Sequence, residues 1–146
     1  MSSTLNGQLL GRTHYATRAV LERELTRLGL TFGQSLLLNM LAAADGPVPR
    51  AEAARQLTDA LKLSPAAAHT TLAELVAATL VAPMTQDASR VTVTPAGRQS
   101  QRLVAAATGE IGKRLWAGLA AEDLAAAARV LDAVRRRAEA SLASAA

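Results

Sequence analysis

The sequence contains no cysteine, which excludes disulfides, thiol redox chemistry and zinc–thiolate sites. It has only three aromatic residues, Tyr15, Phe32 and Trp116, so its core must be assembled from Leu, Val and Ala. Lysine is scarce as well: apart from Lys62 and Lys113, every cation of fixed charge is an arginine. No apolar run approaches the ~20 residues of a membrane span, and no signal peptide precedes the fold. The chain is therefore expected to be cytoplasmic, with no membrane partner. Paired carboxylates, a nucleophile motif and a Gly-rich phosphate loop are all missing, and Gly109 and Gly112 have no strand before them. The two histidines, His14 and His69, fall in different helical segments, and nothing has metal-ligand spacing. These absences predict a protein that is not an enzyme and holds no cofactor or metal.

Half of the 146 residues are apolar, enough for one domain with a real core. The formal charge is +4 and the pI about 10.6, a balance that favours a polyanionic partner. The organising stretch runs from Leu63 to Val81. Ser64 reads as an N-cap and Pro65 as the first helical residue. Ala68, Leu72, Leu75 and Val76 then fall on one face, while Ala66, Ala67, His69, Thr70 and Ala73 give a slim, uncharged opposite face. Such a face suits a helix that reads the major groove, because small side chains allow close approach and Thr and His can bond to base edges.

Before this stretch, apolar residues from Leu5 to Leu28 predict a first helix from Ser3 to about Leu28, stopped by Gly29. Thr31 caps a second, Phe32 to Ala44, apolar enough to be the central core helix. After the Asp45-Gly46-Pro47 turn, Val48 reads as a stub of strand, and a third helix runs from Pro49 or Arg50 to Leu61. Lys62-Leu63 then makes the tight turn of a helix-turn-helix. Beyond Leu80, Val81–Thr85 and Arg90–Thr94 alternate as two strands around Gln86-Asp87-Ala88-Ser89, which predicts a hairpin wing. A helix from Pro95 to about Leu119 follows, with Leu103, Ala107, Ile111 and Leu115 at intervals of four. The final helix starts near Ala121, with Leu124, Leu131, Val134, Ala138 and Leu142 at near-heptad spacing. Both terminal segments carry more apolar surface than one winged domain can cover, so a homodimer is expected through them. The predicted fold is mainly α with a small β-hairpin wing. It comprises a single domain over 1–146, with a winged helix-turn-helix at about 31–94 and dimerisation helices at about 3–28 and 95–143.

This order of elements resembles the MarR (multiple antibiotic resistance regulator) family of winged-helix transcription regulators. The resemblance is carried by Leu30-Thr31-Phe32-Gly33-Gln34, by Gln56 to Ser64, by the exit from Leu75 to Val81, and by Val91-Thr92-Val93-Thr94-Pro95-Ala96-Gly97. It implies a dimer with a paired-helix seam, operator DNA as partner, and often a small phenolic effector bound between the dimer helices and the winged domain. The chain departs from the family pattern in several places. It has Thr70 where a basic residue is usual on the reading helix, and Thr79 where a glycine is usual at its exit. Its third helix is about one turn longer and its wing is shorter. The Asp-x-Arg of the wing tip is represented by Asp87 and Arg90, one residue further apart.

On this reading Ala66, Ala67, His69 and Thr70 face the bases. Arg50, Arg55, Lys62, Asp87, Arg90, Arg98 and Arg102 form the phosphate-contacting and wing set. Arg129 and Arg135 to Arg137 belong to a solvated face of the last helix. His14, Tyr15 and Trp116 are candidates for an effector pocket. The expected function is a dimeric, sequence-specific DNA-binding regulator acting on an inverted repeat, a repressor released by a small aromatic or phenolic ligand. Two alternatives stay open: a MarR-like dimer with weakened DNA binding that serves as a ligand-binding or protein-interaction module, and an architectural DNA-binding protein.

Overall fold

The computed structural model describes residues 4–144, so the expected start of the first helix at Ser3 lies outside the described residues. The first helix, α1, is Gly7–Arg27, and Thr4 and Leu5 precede it. Its start is set by Asn6, whose side chain accepts a hydrogen bond from the Leu9 amide at 2.9 Å. At the other end Gly29 takes φ +75, and the Leu30 amide donates back to the Leu25 carbonyl at 2.9 Å. Leu25 is buried and Leu21 and Leu28 pack against the core. Leu5 and Leu9, expected on the same stripe, are exposed.

Helix α2, Phe32–Ala43, opens with a reciprocal capping box between Thr31 and Gln34. It is the central helix, as its sequence suggests: Leu37 and Leu38 have no exposed surface, and it packs on α1, α3 (Arg50–Leu61), α4 (Pro65–Ala77) and the sheet. Ala53, Ala54 and Leu57 of α3 and Ala68, Leu72 and Leu75 of α4 complete the core. Between these helices Lys62 takes a left-handed conformation, φ 57, which lets the chain turn in so few residues.

Helix α4 ends at Ala77 rather than near Leu80, because Thr79 adopts φ 61 and the Leu80 amide returns to the Leu75 carbonyl at 3.0 Å. The stub of strand at Val48 is present, and the two hairpin strands are shorter than the sequence suggests. The strands are β1 (Val48–Pro49), β2 (Val81–Pro83) and β3 (Arg90–Val93), in antiparallel order β1-β3-β2. Val81 pairs with Val93 and Val48 with Val91, so the expected hairpin is one edge of a three-stranded sheet. Helix α5, Pro95–Trp116, stops before Gly118, which has φ +78. Its buried positions are Gly97, Val104 and Ile111; Leu103 and Leu115, expected inward, are exposed. A period of seven, not four, marks the covered face.

The chain divides into two compact units between Ile111 and Gly112. The first holds the whole core described above. The second contains the end of α5 and α6, Ala121–Ser144, in which no residue is buried. Arg135 of α6 is paired with Asp132 at 2.6 Å and Glu139 at 2.9 Å, and Arg136 with Asp132 at 3.3 Å, along its solvated face.

Candidate nucleic-acid interface

The candidate interface is built on α4. Ser64 caps the helix by accepting from the Ala67 amide at 3.2 Å, and Pro65 needs no amide partner in the first turn. Burial of Ala68, Leu72 and Leu75 turns Ala66, Thr70, Ala73 and Ala77 outward, with His69 on one flank and Ala67 and Glu74 on the other. All four expected base-facing residues, Ala66, Ala67, His69 and Thr70, are exposed on this outward side. Glu74 was not among them. It is exposed one turn beyond Thr70, and one of its oxygens accepts from Gln34 Nε2 at 3.0 Å. Its helical spacing from Thr70 is the sequence signal that could have placed it there.

The exit of α4 is locked to the wing and to α5. The Thr94 hydroxyl donates to the Thr79 carbonyl at 2.7 Å and accepts from the Gly97 amide at 3.0 Å. The Thr94 amide donates to the Leu80 carbonyl at 3.1 Å. A Cβ on Gly97 would lie 2.0 Å from that carbonyl oxygen, so only glycine permits the approach.

The wing is braced by two of the expected phosphate-contacting arginines. Arg50 donates from Nε to the Ala88 carbonyl at 2.8 Å, and its amide donates to the Ser89 carbonyl at 2.8 Å. Arg90, paired opposite Pro49, donates from Nη2 to the Pro47 carbonyl at 2.8 Å. Asp87 accepts from the Ser89 hydroxyl at 2.6 Å and the Ser89 amide at 3.0 Å, and these bonds hold its carboxyl below its usual pKa. Arg50, Asp87 and Arg90 thus meet at the base and turn of the wing, with guanidinium N–H groups left over on both arginines.

The other cations stand apart. Arg55 is held by Glu52 at 2.6 Å and by Asp59 at 3.5 Å; the hydrogen bond from Arg55 lowers the Glu52 pKa and raises its own. Lys62 donates to the Asp59 carbonyl. Arg102 donates to Gln99 at 2.8 Å, and Arg98, on the first turn of α5, has no side-chain partner among the described residues. His69 and Arg55 line a small cavity of about 190 Å³ between α3 and α4.

A larger cavity of about 470 Å³ lies on the other flank of α4, walled by His14, Arg18, Phe32, Leu63, Ala67 and Thr71 among others. Arg18 stacks on Phe32, its Cζ 4.3 Å from the ring centroid, and pairs with Glu22 at 2.7 Å. Of the expected pocket residues His14 lines this cavity. Tyr15 does not: its ring meets His14 edge-on at 5.4 Å and is 71% exposed. Trp116, 55% exposed, belongs to the second unit. Among the described residues no group of three or more His, Asp or Glu side chains could hold a metal ion, and no helix is long and apolar enough to cross a membrane.

No protein-family profile matches the chain, and no curated protein matches it. Its likeness to solved structures is extensive. The Mycobacterium tuberculosis MarR family protein Rv2887, solved in complex with DNA, is 26% identical, with a TM-score of 0.70 over 90% of this chain and 98% of that one. The same protein with p-aminosalicylic acid matches at 28% identity and a TM-score of 0.65, over the same shares of the two chains. The transcriptional regulator PA3341 is 23% identical, with a TM-score of 0.75 over 91% of this chain and 97% of that one. The chain has the MarR-family winged-helix fold.

Within that fold α3 and α4 are the helix-turn-helix and β2–β3 the wing. The MarR pattern usually has a glycine at the exit of α4, and this chain places Thr79 there with φ 61. A β-branched residue in the left-handed region is strained, and the strain is held in place by the Thr94 lock. In this chain Arg50 ties the wing turn to the start of α3, and Arg90 ties β3 to the turn before β1.

Proposed function

We propose that this chain is a DNA-binding transcription regulator working as a homodimer in the cytoplasm, a repressor whose operator is an inverted repeat. The observation that carries the reading is the outward stripe of α4. It is a capped helix whose first two turns expose nothing larger than His69, set beside a wing braced to the same domain. Such a helix can reach base edges, with Thr70 and His69 as hydrogen-bonding groups and Ala66 and Ala67 against thymine methyls. Arg50, Lys62, Arg90, Arg98 and Arg102 supply phosphate contacts, and Arg55 contributes less because the Glu52 and Asp59 carboxylates already neutralise it. The likeness to Rv2887, a MarR family protein solved with DNA, supports the same reading. The chain acts as one regulator domain, its dimer seam formed by the helices at about 3–28 and 95–143.

Release by a small aromatic or phenolic ligand is part of the proposal. The 470 Å³ cavity is of ligand size, one of its walls is the flank of α4, and Arg18 offers a cation beside an aromatic ring. That Rv2887 was also solved with p-aminosalicylic acid supports it. A second reading, a ligand-binding or protein-interaction dimer with little DNA affinity, is favoured by one observation: α4 carries a carboxylate and no cation.

Selection of bound duplexes from random DNA by the full chain separates the two. The regulator should enrich an inverted repeat with half-sites about one helical turn apart, rich in A·T because no arginine of α4 can grip guanine. A folded dimer that enriches nothing at low salt would overturn the regulator in favour of the second reading.

A further inference from the structure

Glu74 is the one charged residue between Ser64 and Val81, and it is exposed on the outward flank of α4. A carboxylate carried to a polyanion loses hydration and meets like charge unless it finds a donor there. Glu74 is hydrogen-bonded to Gln34 of α2. Gln34 is itself fixed by its capping box: its Oε1 accepts from the Thr31 amide at 3.1 Å, and its backbone amide donates to the Thr31 hydroxyl at 3.2 Å. That leaves Gln34 Nε2 to donate to Glu74 Oε2 at 3.0 Å, tying two helices together across forty residues of sequence. One Glu74 oxygen is thereby anchored and the other is left to accept.

The bond gives the carboxylate a preferred position one turn beyond Thr70. Glu74 is four positions after Thr70, which on a helix is about 40° of rotation and about 6 Å along the axis. That rise corresponds to roughly two base-pair steps. The donor that a major groove offers to a carboxylate is the cytosine N4 amino group.

We infer that Glu74 is a specificity-determining residue that reads cytosine about two base pairs from the base faced by Thr70, with Gln34 as the positioning residue that aims it. The inference rests on α4 being the DNA-reading helix. It explains a carboxylate on a surface otherwise stripped of charge, where simple helix stability would be served as well by alanine.

The test is selection from random duplex DNA with the full-length wild type, Glu74→Gln and Gln34→Ala, each checked for an unchanged dimer and a cooperative melt. Wild type should enrich cytosine at one position per half-site, at least about fivefold over other bases. Glu74→Gln keeps the shape and an acceptor for Gln34, but a glutamine amide suits adenine, so the enriched base should change from cytosine to adenine at that position alone. Gln34→Ala should weaken the cytosine preference while leaving the other positions intact, which loss of helix capping alone would not do. If Glu74→Gln raises affinity for all sequences and selects the same site as wild type, Glu74 only repels DNA and the assignment falls. If Gln34→Ala leaves the cytosine preference whole, the positioning role falls. A wild type that enriches no sequence overturns the DNA-reading assignment of α4, and this inference with it.

Discussion

Helices α4 and α6 are both rich in alanine and both carry a periodic apolar stripe, yet they end in opposite surroundings. In α4, Ala68, Leu72 and Leu75 are at most 2% exposed, packed among α2, α3 and β2 of the same unit. In α6, with 24 residues against 13, nothing is buried; Leu131 is 39%, Val134 45% and Leu142 60% exposed. Periodicity reports that a stripe exists and which residues share it. It does not report which chain covers it. The uncovered stripe of α6 is apolar surface that a second copy would bury in the proposed dimer, and so, in the other unit, are exposed Leu9, Leu10 and Tyr15 of α1.

The sharpest way to break this comparison is to make the same cut in both helices. Leu72→Ala should cost about 2–5 kcal/mol, because it leaves a cavity in a core that cannot collapse fully. Its melting temperature should drop by the same amount at every protein concentration. Leu131→Ala removes the same atoms from a partly exposed site, so its cost should depend on association. Both copies lose the contact, and the dimer should weaken by about 3 kcal/mol or more in total. Sedimentation and melting across a hundredfold range of concentration distinguish the two. A Leu131→Ala protein that stays as dimeric as wild type would show that α6 is not the seam.

This difference also marks how far the sequence could be read. The helix-turn-helix was legible because its signals are local: the Ser64-Pro65 start, the apolar spacing from Ala68 to Leu75, and a two-residue turn at Lys62-Leu63. The three-stranded sheet was half legible, since Val48 pairs with Val91 across 43 residues and periodicity cannot reach that far. On α5 an interval of four pointed to Leu103, Ala107, Ile111 and Leu115; Ile111 is buried, but Leu103 and Leu115 are exposed and Val104, off that interval, is buried instead. An Ala-rich helix offers several overlapping stripes, and only the surface it meets selects among them. At the candidate interface the outward residues of α4 followed from its buried face. The bonds that hold Glu74, Arg50 and Arg90 join distant segments and leave no mark in spacing.

A smaller test compares the two sharp backbone turns at the near ends of these helices. Gly118, shortly before α6, takes φ +78, and Thr79, just after α4, takes φ +61. Glycine adopts this region freely, while a β-branched side chain crowds its own backbone there. Thr79→Gly should therefore stabilise the protein by about 1 kcal/mol, the relieved strain exceeding the entropy that glycine adds to the unfolded chain. The Thr94 bond to the carbonyl of residue 79 is unaffected by the change. Chemical denaturation measures it. A neutral or destabilising result would mean that the Thr79 hydroxyl, 2.6 Å from the Ala78 carbonyl, offsets the strain.

The finest test asks whether the wing beside α4 is held by its own chain in solution. The Asp87 carboxyl lies below its usual 3.8 first because the Ser89 hydroxyl donates to it, then because the Ser89 amide does, with Arg90 adding attraction. A group whose folded pKa is depressed contributes stability that is present above its unfolded value and lost as pH falls through the folded one. The Asp87–Ser89 turn should accordingly stay closed at pH 5 and open only below 3.8. Asp87 is fully exposed, so the consequence is local to the turn. NMR titration of the Asp87 carboxyl carbon and the Ser89 amide should give one shared midpoint below 3.8. Ser89→Ala removes the hydroxyl donor and should move the Asp87 midpoint back toward that value, leaving the global melt unchanged. A wild-type midpoint at or above it would mean that the Asp87–Ser89 bonds are open in solution and that the wing is held by Arg50 and Arg90 alone.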